Sequence, residues 1–243
     1  MKHFSGSQSD GKNICIIGCL HGNERFGEAV FDYLKTHQVE FPGVTAVLAN
    51  ESAMEAGERF IDEDLNRAFP GDSQGNNEQR IAAELTEFTK GFDYVLDLHT
   101  TSSPLKRSVA IVPNLGEATR VIIQASPYTE VIHMEAKLTA SALIGNVQNA
   151  VSLELNEDYA QTPAALQEIT AIIHHLLHGS SESPRERNIY KVTGIIPKEI
   201  TLPGNAQNFK LIPELNITPF LIGERGYTAH QGFNVTVEQQ VVW

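Results

Sequence analysis

The chain has few cysteines, which limits how it can be stabilised. Its 243 residues include only Cys15 and Cys19, which lie in one apolar run. A strand would carry both on the same face about 13 Å apart, at about 3.3 Å per residue, which is beyond disulfide reach. A chain of this length can bury a full core without cross-links. We therefore predict two buried free thiols, as expected of a cytoplasmic protein.

Long apolar runs and runs of positive charge are also missing. No apolar stretch approaches the about 20 residues of a membrane span, and the polar residues 1–12 lack the apolar centre of a signal peptide. The 30 acidic residues outnumber the 18 Lys and Arg residues, which gives a formal net charge of −12. Such a surface repels nucleic acid on average. We expect a soluble intracellular protein that binds neither nucleic acid nor membranes.

The hydrophobic pattern indicates an α/β fold. A buried strand over 13–20, a helix over 25–37 and a second strand over 44–49 open the chain, an order typical of α/β sheets. The long stretch 50–77 has weak periodicity and is interpreted as a functional loop. Later strands are predicted over 94–98, 108–112 and 151–155, and helices over 78–90, 117–125 and 164–178.

A segment rich in small polar residues divides the chain near its C-terminus. Residues 179–184 have the composition of a linker. Beyond it, prolines and glycines separate short β-prone runs such as 208–212 and 233–237, with no helical period. We predict a main domain over 1–180 and a small β-rich C-terminal domain over 185–243.

Metal-binding side chains follow two of the predicted strands. His21 and Glu24 stand three residues apart after the first strand, and His99 ends the strand over 94–98. Two imidazoles and one carboxylate leave a coordination position open for water, as in catalytic zinc sites. The His-x-x-Glu pattern alone recurs by chance, and a solvated loop histidine is the alternative.

Two arginines stand out in the irregular stretch. Arg59, Asn66 and Arg67 precede a Pro-Gly pair and are poor core residues. A guanidinium can bind a carboxylate through two parallel hydrogen bonds, which Lys cannot do. The alternative is a surface pairing of these arginines with Asp62 and Asp64.

Three motifs together resemble the succinylglutamate desuccinylase/aspartoacylase family, which is related to zinc carboxypeptidases. They are His21-Gly22-Asn23-Glu24, Asp64-Leu65-Asn66-Arg67 and Asp97-Leu98-His99-Thr100-Thr101, in the family's order and at comparable spacing. The resemblance is dense over the first hundred residues and thinner beyond. It implies a zinc-carboxypeptidase-like mixed sheet flanked by helices, with a small C-terminal β-rich appendage. It also implies one Zn²⁺ per subunit, held by His21, Glu24 and His99.

The same resemblance implies roles for further residues. Asn66 and Arg67 would hold the substrate's carboxylate, Arg59 would lie near the polarised carbonyl, and Glu154 best matches the catalytic glutamate. An acid on a buried strand is costly unless it is used, and burial raises its pKa towards the range useful for proton transfer. The alternatives are that Glu154 faces solvent, or that Glu157 or Asp158 is the base.

Asp97 is two residues before His99 and would point to the same side of the strand. It is expected either to orient a ligand histidine or to form a cap or salt bridge.

Two departures from the family pattern leave the substrate open. The resemblance leads us to expect an arginine about ten residues before Glu154, yet residues 141–149 contain no Arg or Lys. A substrate-contacting tyrosine expected near the C-terminus has no evident counterpart. Neither departure removes the zinc ligands.

The resemblance implies a zinc-dependent amidohydrolase that removes the acyl group from a small N-acyl amino acid, with an acidic one such as N-succinylglutamate or N-acetylaspartate favoured. Glu154 would take a proton from the attacking water and pass it to the leaving amine, while zinc and Arg59 stabilise the oxyanion. The alternatives are a carboxypeptidase-like metallopeptidase acting on short peptides and an inactive metal-binding or regulatory protein. A homo-oligomer is compatible with the sequence.

Overall fold

The computed structural model describes residues 1–7, 11–179 and 184–243. Within these residues the strands are β1 (Lys2–Ser5), β2 (Ile14–Gly18), β3 (Val44–Leu48), β4 (Tyr94–Thr101), β5 (Val109–Val112), β6 (Glu130–His133), β7 (Ala150–Asn156), β8 (Glu186–Pro197), β9 (Pro219–Phe220) and β10 (His230–Val242). The helices are α1 (Phe26–Thr36), α2 (Glu51–Ala56), α3 (Asn77–Phe88), α4 (Glu117–Ala125), α5 (Ala136–Thr139), α6 (Leu143–Asn146), α7 (Glu157–Ala160) and α8 (Pro163–His178), with a 3-10 turn at Leu65–Arg67.

These strands form one mixed sheet in the order β1-β3-β2-β4-β7-β5-β6-β8-β10-β9. The neighbours β3, β2, β4 and β7 run parallel, whereas β5 runs antiparallel to β7. The prediction of a mixed sheet flanked by helices is confirmed. Because parallel strands end at the same edge, the turn after β2 and the C-terminal ends of β4 and β7 are brought together there.

Apolar side chains cover both faces of the sheet. On one face, residues of α1, α4 and α8, including Phe31, Ile122 and Ile169, pack in one buried cluster. On the other face, α3 and α6 contribute Leu85 and Leu143 to a second cluster. Both faces of the central strands are therefore buried, which explains their nearly continuous apolar sequences.

The two cysteines are buried and free, as predicted. Their predicted placement on one face is wrong, because Cys15 packs in the cluster beneath α3 and Cys19 in the cluster beneath α1. The strand ends at Gly18, and Cys19 adopts a φ of 55°, so the alternation of a strand no longer applies to it.

Two glycines bring α1 close to the end of β2. A Cβ at Gly27 would lie 2.5 Å from the Cα of Gly18, and a Cβ at Gly18 would lie 2.6 Å from the Cα of Gly27. Any side chain at either position would push the helix away from the strand. The short turn between them, which carries His21 and Glu24, is thereby held against the sheet.

The segment 50–77 is more regular than the sequence pattern indicates. Asn50 caps α2 by accepting a hydrogen bond from the backbone N–H of Ala53, and Gly57 ends the helix in a left-handed conformation. Six residues are too few for a recognisable helical period, which is why α2 was not predicted. Within the described residues β6 and β8 are further elements that the sequence pattern missed.

The C-terminal range contains strands and no helix in its described part, as predicted. The β-prone run over 233–237 lies inside the longer strand β10. The β-prone run over 208–212 does not form a strand, and only Ile212 takes part in an isolated bridge, with Ile217. Strand β8 pairs in parallel with β6, so both predicted domain ranges contribute to one sheet. The division into domains at 1–180 and 185–243 stays a prediction, and most of the predicted linker, 180–183, lies outside the described residues.

None of the helices in the described ranges combines the length and the apolarity that crossing a bilayer requires.

Candidate functional site

The predicted metal ligands meet at the carboxyl edge of the parallel strands. His99 lies in β4 directly beside Glu154 of β7, while His21 and Glu24 follow β2. His21, Glu24 and His99 are all buried. The structure thus brings together three residues that are up to 78 positions apart in sequence (99 − 21).

The donor atoms of these three residues face one point. His21 Nδ1 lies 2.6 Å from Glu24 Oε1, and His99 Nδ1 lies 3.1 Å from Glu24 Oε2. One ligand atom from each residue lies within 4.8 Å of the other two. Two imidazole nitrogens and a carboxylate oxygen are a donor set suited to zinc.

A carboxylate holds the far nitrogen of each histidine. Asp64 Oδ1 lies 3.0 Å from His21 Nε2, and Asp97 Oδ2 lies 2.8 Å from His99 Nε2. Ser152 Oγ donates a 2.9 Å hydrogen bond to the same oxygen of Asp97. At His99, Nε2 as the donor to Asp97 leaves the lone pair of Nδ1 for a metal, an arrangement common behind zinc-binding histidines. At His21, Arg59 Nη2 also lies 2.9 Å from Nε2, beside Asp64. The orienting contact predicted for Asp97 is present, whereas Asp64 was considered only as a partner of arginines.

The electrostatics of the cluster favour a cation. Burial alone would raise the pKa of Glu24, but the neighbouring His21 and His99 lower it well below its ordinary value. Burial would likewise lower the pKa of His99, yet Asp97 and Glu24 raise it well above the ordinary range. Carboxylates therefore surround a point where positive charge is stabilised, either on an imidazolium or on a metal ion.

Glu154 is a buried carboxylate on the wall of the same cavity, with 8% of its surface exposed. Burial is the main cause that raises its pKa to about 8, and Glu24 and Glu224 raise it further while His99 opposes them. The alternative bases lie elsewhere, because Glu157 forms a 2.6 Å ion pair with Arg225 and Asp158 is exposed on α7. Neither lines the cavity. A carboxyl group with this pKa can exchange a proton near neutral pH.

Arg59 lies beside the metal donors. Its Nη1 donates to Glu24 Oε1 at 3.2 Å, and its Nη2 donates to Asp64 Oδ2 at 3.2 Å. The pairing with Asp64 considered from the sequence therefore exists, but in a cavity rather than on an open surface. A guanidinium here can stabilise negative charge on a group bound near the donors.

Asn66 and Arg67 occupy another part of the cavity wall. Asn66 Oδ1 accepts a 2.9 Å hydrogen bond from the backbone N–H of Leu143, which fixes the 3-10 turn against α6. Its amide NH₂ and the exposed guanidinium of Arg67 are donors suited to a carboxylate.

The C-terminal range also contributes to the cavity, and none of its lining residues was predicted from the sequence. Glu224 and Tyr227 lie on its wall. The sequence showed no evident counterpart of the expected tyrosine near the C-terminus, whereas the structure places Tyr227 in the cavity. Burial is the main cause that raises the pKa of Tyr227, and the nearby Glu154 and Glu224 raise it further. Both residues sit in a segment without periodicity, and the pairing of Glu224 with Thr101 and Ser102 becomes visible only in the fold.

The fold and the donor set define a mixed α/β protein with a candidate metal site of two histidines and one glutamate. The family model of the succinylglutamate desuccinylase/aspartoacylase catalytic domain matches residues 10–178. The chain belongs to this family.

Named relatives match a shorter part of the chain. The probable aspartoacylase of Trichodesmium erythraeum (strain IMS101) is 33% identical over 117 residues, which are 41% of this chain and 39% of that protein. The N-acyl-aromatic-L-amino acid amidohydrolase (carboxylate-forming) of Rattus norvegicus is 32% identical over 124 residues, 42% of this chain and 38% of that protein. The matched parts thus span less than half the length of these relatives.

Solved structures share the fold over nearly the whole chain. Murine aminoacylase 3 superposes with a TM-score of 0.73 at 19% identity and covers 97% of this chain and 98% of its own. The succinylglutamate desuccinylase of Chromobacterium violaceum gives a TM-score of 0.77 at 18% identity, with 98% and 88% covered. These likenesses confirm the fold class.

Proposed function

We propose that the protein is a zinc-dependent amidohydrolase that releases the acyl group of a small N-acyl amino acid. One observation carries the proposal: a single cavity of about 280 Å³ is lined by the donor cluster, by Glu154 and Arg59, and by Asn66 and Arg67. Metal donors, a base and a carboxylate clamp are the groups that hydrolysis of such an amide requires. Membership of the family supports this chemistry.

One Zn²⁺ per chain fits His21, Glu24 and His99. The fit rests on the two Nδ1 atoms that face Glu24 and on the carboxylates that hold the opposite nitrogens. When bound, zinc supplies Lewis acidity that polarises a carbonyl and activates water.

Glu154 is proposed as the group that accepts the proton of the attacking water and delivers it to the leaving amine. Its burial and its raised pKa support this role, because proton transfer is efficient when the pKa lies near the working pH. Arg59 is proposed to stabilise the oxyanion that develops on the amide oxygen. The products are a carboxylic acid and a free amino acid.

Asn66 and Arg67 are proposed to hold a carboxylate of the substrate. The orientation of Asn66, fixed by Leu143, would preset one donor of this clamp. Within the class of N-acyl amino acids, the resemblance of the sequence favours acidic ones such as N-succinylglutamate and N-acetylaspartate. A cytoplasmic setting is supported by the two buried free thiols.

The test is amine release from a panel of substrates by the zinc-loaded protein, with and without chelator. The panel contains N-succinylglutamate, N-acetylaspartate, N-acetylglutamate, N-acetyl-leucine and a blocked dipeptide. Chelator-sensitive release from any N-acyl amino acid supports the proposal. Cleavage of the dipeptide alone would favour a metallopeptidase, and no release from any compound despite bound zinc would refute the deacylase function.

A further inference from the structure

Two histidines near the C-terminal end of α8 take no part in the cavity. His174 and His178 are both exposed and stand one helical turn apart. Residues four apart lie on the same face of a helix, with Cβ atoms about 5–6 Å from each other. The ring centroids of His174 and His178 are 4.5 Å apart. Since none of the described residues that line the cavity belongs to α8, this pair is separate from the donor cluster at the sheet edge.

The ring nitrogens of the pair are not engaged elsewhere. Within residues 1–7, 11–179 and 184–243, His174 and His178 form ring contacts but no hydrogen bond or ion pair. His175 differs, because its Nδ1 donates a 3.1 Å hydrogen bond to the carbonyl oxygen of Ala125. The structure therefore leaves two exposed imidazoles on one helix face whose nitrogens can bind a ligand.

The helix beneath the pair is well supported. Ile169, Ile173 and Leu176 of α8 are buried in the apolar cluster that also contains residues of α1 and α4. The hydrogen bond from His175 to Ala125 ties the last turn of α8 to the end of α4. Because the backbone is already ordered, binding of an ion would restrict only the two side chains, which keeps the entropic cost low.

The surroundings of the pair favour a cation. The helix α8 contains no Lys or Arg, and Ala171, three residues before His174, is exposed on the same face and leaves room for a hydrated ion. The carbonyl groups of the last helical turn carry partial negative charge. The chain as a whole has a formal net charge of −12, which attracts cations to its surface.

We propose that His174 and His178 form a further metal site on the surface of α8, which takes a divalent transition-metal ion such as Cu²⁺, Ni²⁺ or Zn²⁺. Two histidines four residues apart on one helix face are the arrangement by which helical metal motifs bind zinc. Imidazole suits these three ions, and Cu²⁺ binds most tightly among them, whereas Mg²⁺ and Ca²⁺ prefer oxygen ligands. Water completes the coordination of the ion. The inference is independent of the proposed deacylase function.

Retention on an immobilised metal tests the exposed pair selectively. His21 and His99 are buried and cannot reach an ion fixed to a resin, whereas His174 and His178 are exposed. The untagged wild-type protein should be retained on immobilised Cu²⁺ or Ni²⁺ near neutral pH. The double variant His174→Ala/His178→Ala should elute at a lower imidazole concentration than wild type. Elution of both proteins at the same concentration would overturn the inference.

A titration in solution measures the affinity of the pair. In competition with a chromophoric indicator, the double variant should bind one Cu²⁺ equivalent fewer than wild type. His174→Ala and His178→Ala alone should each weaken this binding step by about ten-fold or more, because the second imidazole on the same helix acts as an intramolecular ligand. Alanine has the highest helix propensity, so these exposed substitutions preserve α8. An equal number of Cu²⁺ ions bound by wild type and the double variant would overturn the inference, whatever binds at the buried cluster.

The matched control is His37→Ala. His37 also lies at the end of a helix, but the residue four positions earlier is Tyr33, so no second imidazole stands beside it on that face of α1. This variant should be retained on the resin and should bind Cu²⁺ like wild type. A loss in His37→Ala as large as in the His174 and His178 variants would show that binding follows the number of histidines rather than the pair, and would overturn the inference.

Discussion

Thr101 Oγ1 donates a hydrogen bond of 2.5 Å to Glu224 Oε2, which ties the C-terminal segment to the strand that carries His99. The backbone N–H of Ser102 donates to the same oxygen at 2.8 Å, and Gly226 N–H donates to Oε1 at 2.7 Å. Burial would raise the pKa of Glu224, but these hydrogen bonds lower it. The carboxylate therefore fixes the loop that places Tyr227 on the cavity wall.

Replacing Glu224 with Gln should loosen this loop. The amide NH₂ of Gln cannot accept, so one set of donors, at Thr101 and Ser102 or at Gly226, loses its acceptor, and the other keeps only an uncharged one. We expect kcat/KM to fall by about ten-fold or more with zinc content unchanged, since the loop positions groups near the reaction rather than the metal. Steady-state kinetics and metal analysis check this.

The matched control is Glu214→Gln, an exposed carboxylate of the same C-terminal range. It should leave kcat/KM within about two-fold of wild type. Equal kinetics for Glu224→Gln and Glu214→Gln would contradict a positioning role for Glu224.

Glu154→Gln should remove the proton acceptor while keeping the shape of the side chain. We expect kcat to fall by about 10²–10⁴-fold, the usual contribution of general base catalysis, with zinc still bound. Because the base must be ionised to accept a proton, wild-type kcat/KM should decline as pH falls through the pKa of Glu154. The pKa of about 8 should shift lower in the zinc-loaded protein, because a nearby cation favours the carboxylate.

A pH profile between about 5.5 and 9 measures this acidic limb. The comparison variant is Asp158→Asn, which changes an exposed acid four residues further along the chain. Asp158→Asn should retain both the wild-type activity and the decline of kcat/KM at low pH. Full activity in Glu154→Gln would assign the proton transfer to another residue.

Zinc affinity should depend on the carboxylates behind the histidines. Asp64→Asn and Asp97→Asn each replace an acceptor that orients a ligand imidazole, and loss of such a partner typically weakens binding by about 10–100-fold. Competition with a chromophoric chelator measures the Kd of zinc for each variant. Asp32→Asn, on the exposed side of α1, is the control and should bind zinc like wild type. Unchanged affinity in both test variants would argue against this orienting role.

The sequence predicted the helices and strands whose hydrophobic pattern is regular. The helix over 117–125 is confirmed at the same residues as α4, and the buried strands around 14–18, 44–48 and 94–101 follow from apolar runs bounded by turn residues. The ligand positions could be proposed because His21 and His99 stand where parallel strands end, an edge at which ligand sites collect.

What the sequence could not provide depends on contacts between distant segments. Glu224 reaches residues 101 and 102 across more than 120 positions, and no local pattern marks such a pair. Strand β8 is alternately exposed and buried, with irregular spacing, so it gives a weak period-2 signal. Asp64 contacts the side chains of both His21 and Arg59, and the sequence pattern indicated only the contact with an arginine.

Glu78 should stabilise the segment that carries Arg59 and Arg67. It is fully buried, and its carboxylate accepts hydrogen bonds from the backbone N–H groups of Ile61 and Asp62 at 2.8 and 2.9 Å and from Asn50 Nδ2 at 3.0 Å. Glu78→Gln keeps the volume but removes the charge and turns one acceptor into a donor. We expect the free energy of unfolding to fall by about 1.5–3 kcal/mol, as for buried hydrogen bonds to charged groups.

The effect of Glu78 should also depend on pH. Burial would raise its pKa, but the hydrogen bonds lower it below that of the unfolded chain. The unfolded state therefore takes up a proton more readily, so the stabilisation is complete above the unfolded pKa of about 4.3 and is lost as pH falls through the folded pKa. Urea unfolding at pH 7.5 and near pH 4 should show a larger difference between wild type and Glu78→Gln at pH 7.5. Glu84→Gln, an exposed acid on the same helix α3, should show no such difference, and an equal loss in both variants would mean that the hydrogen bonds of Glu78 add no net stability.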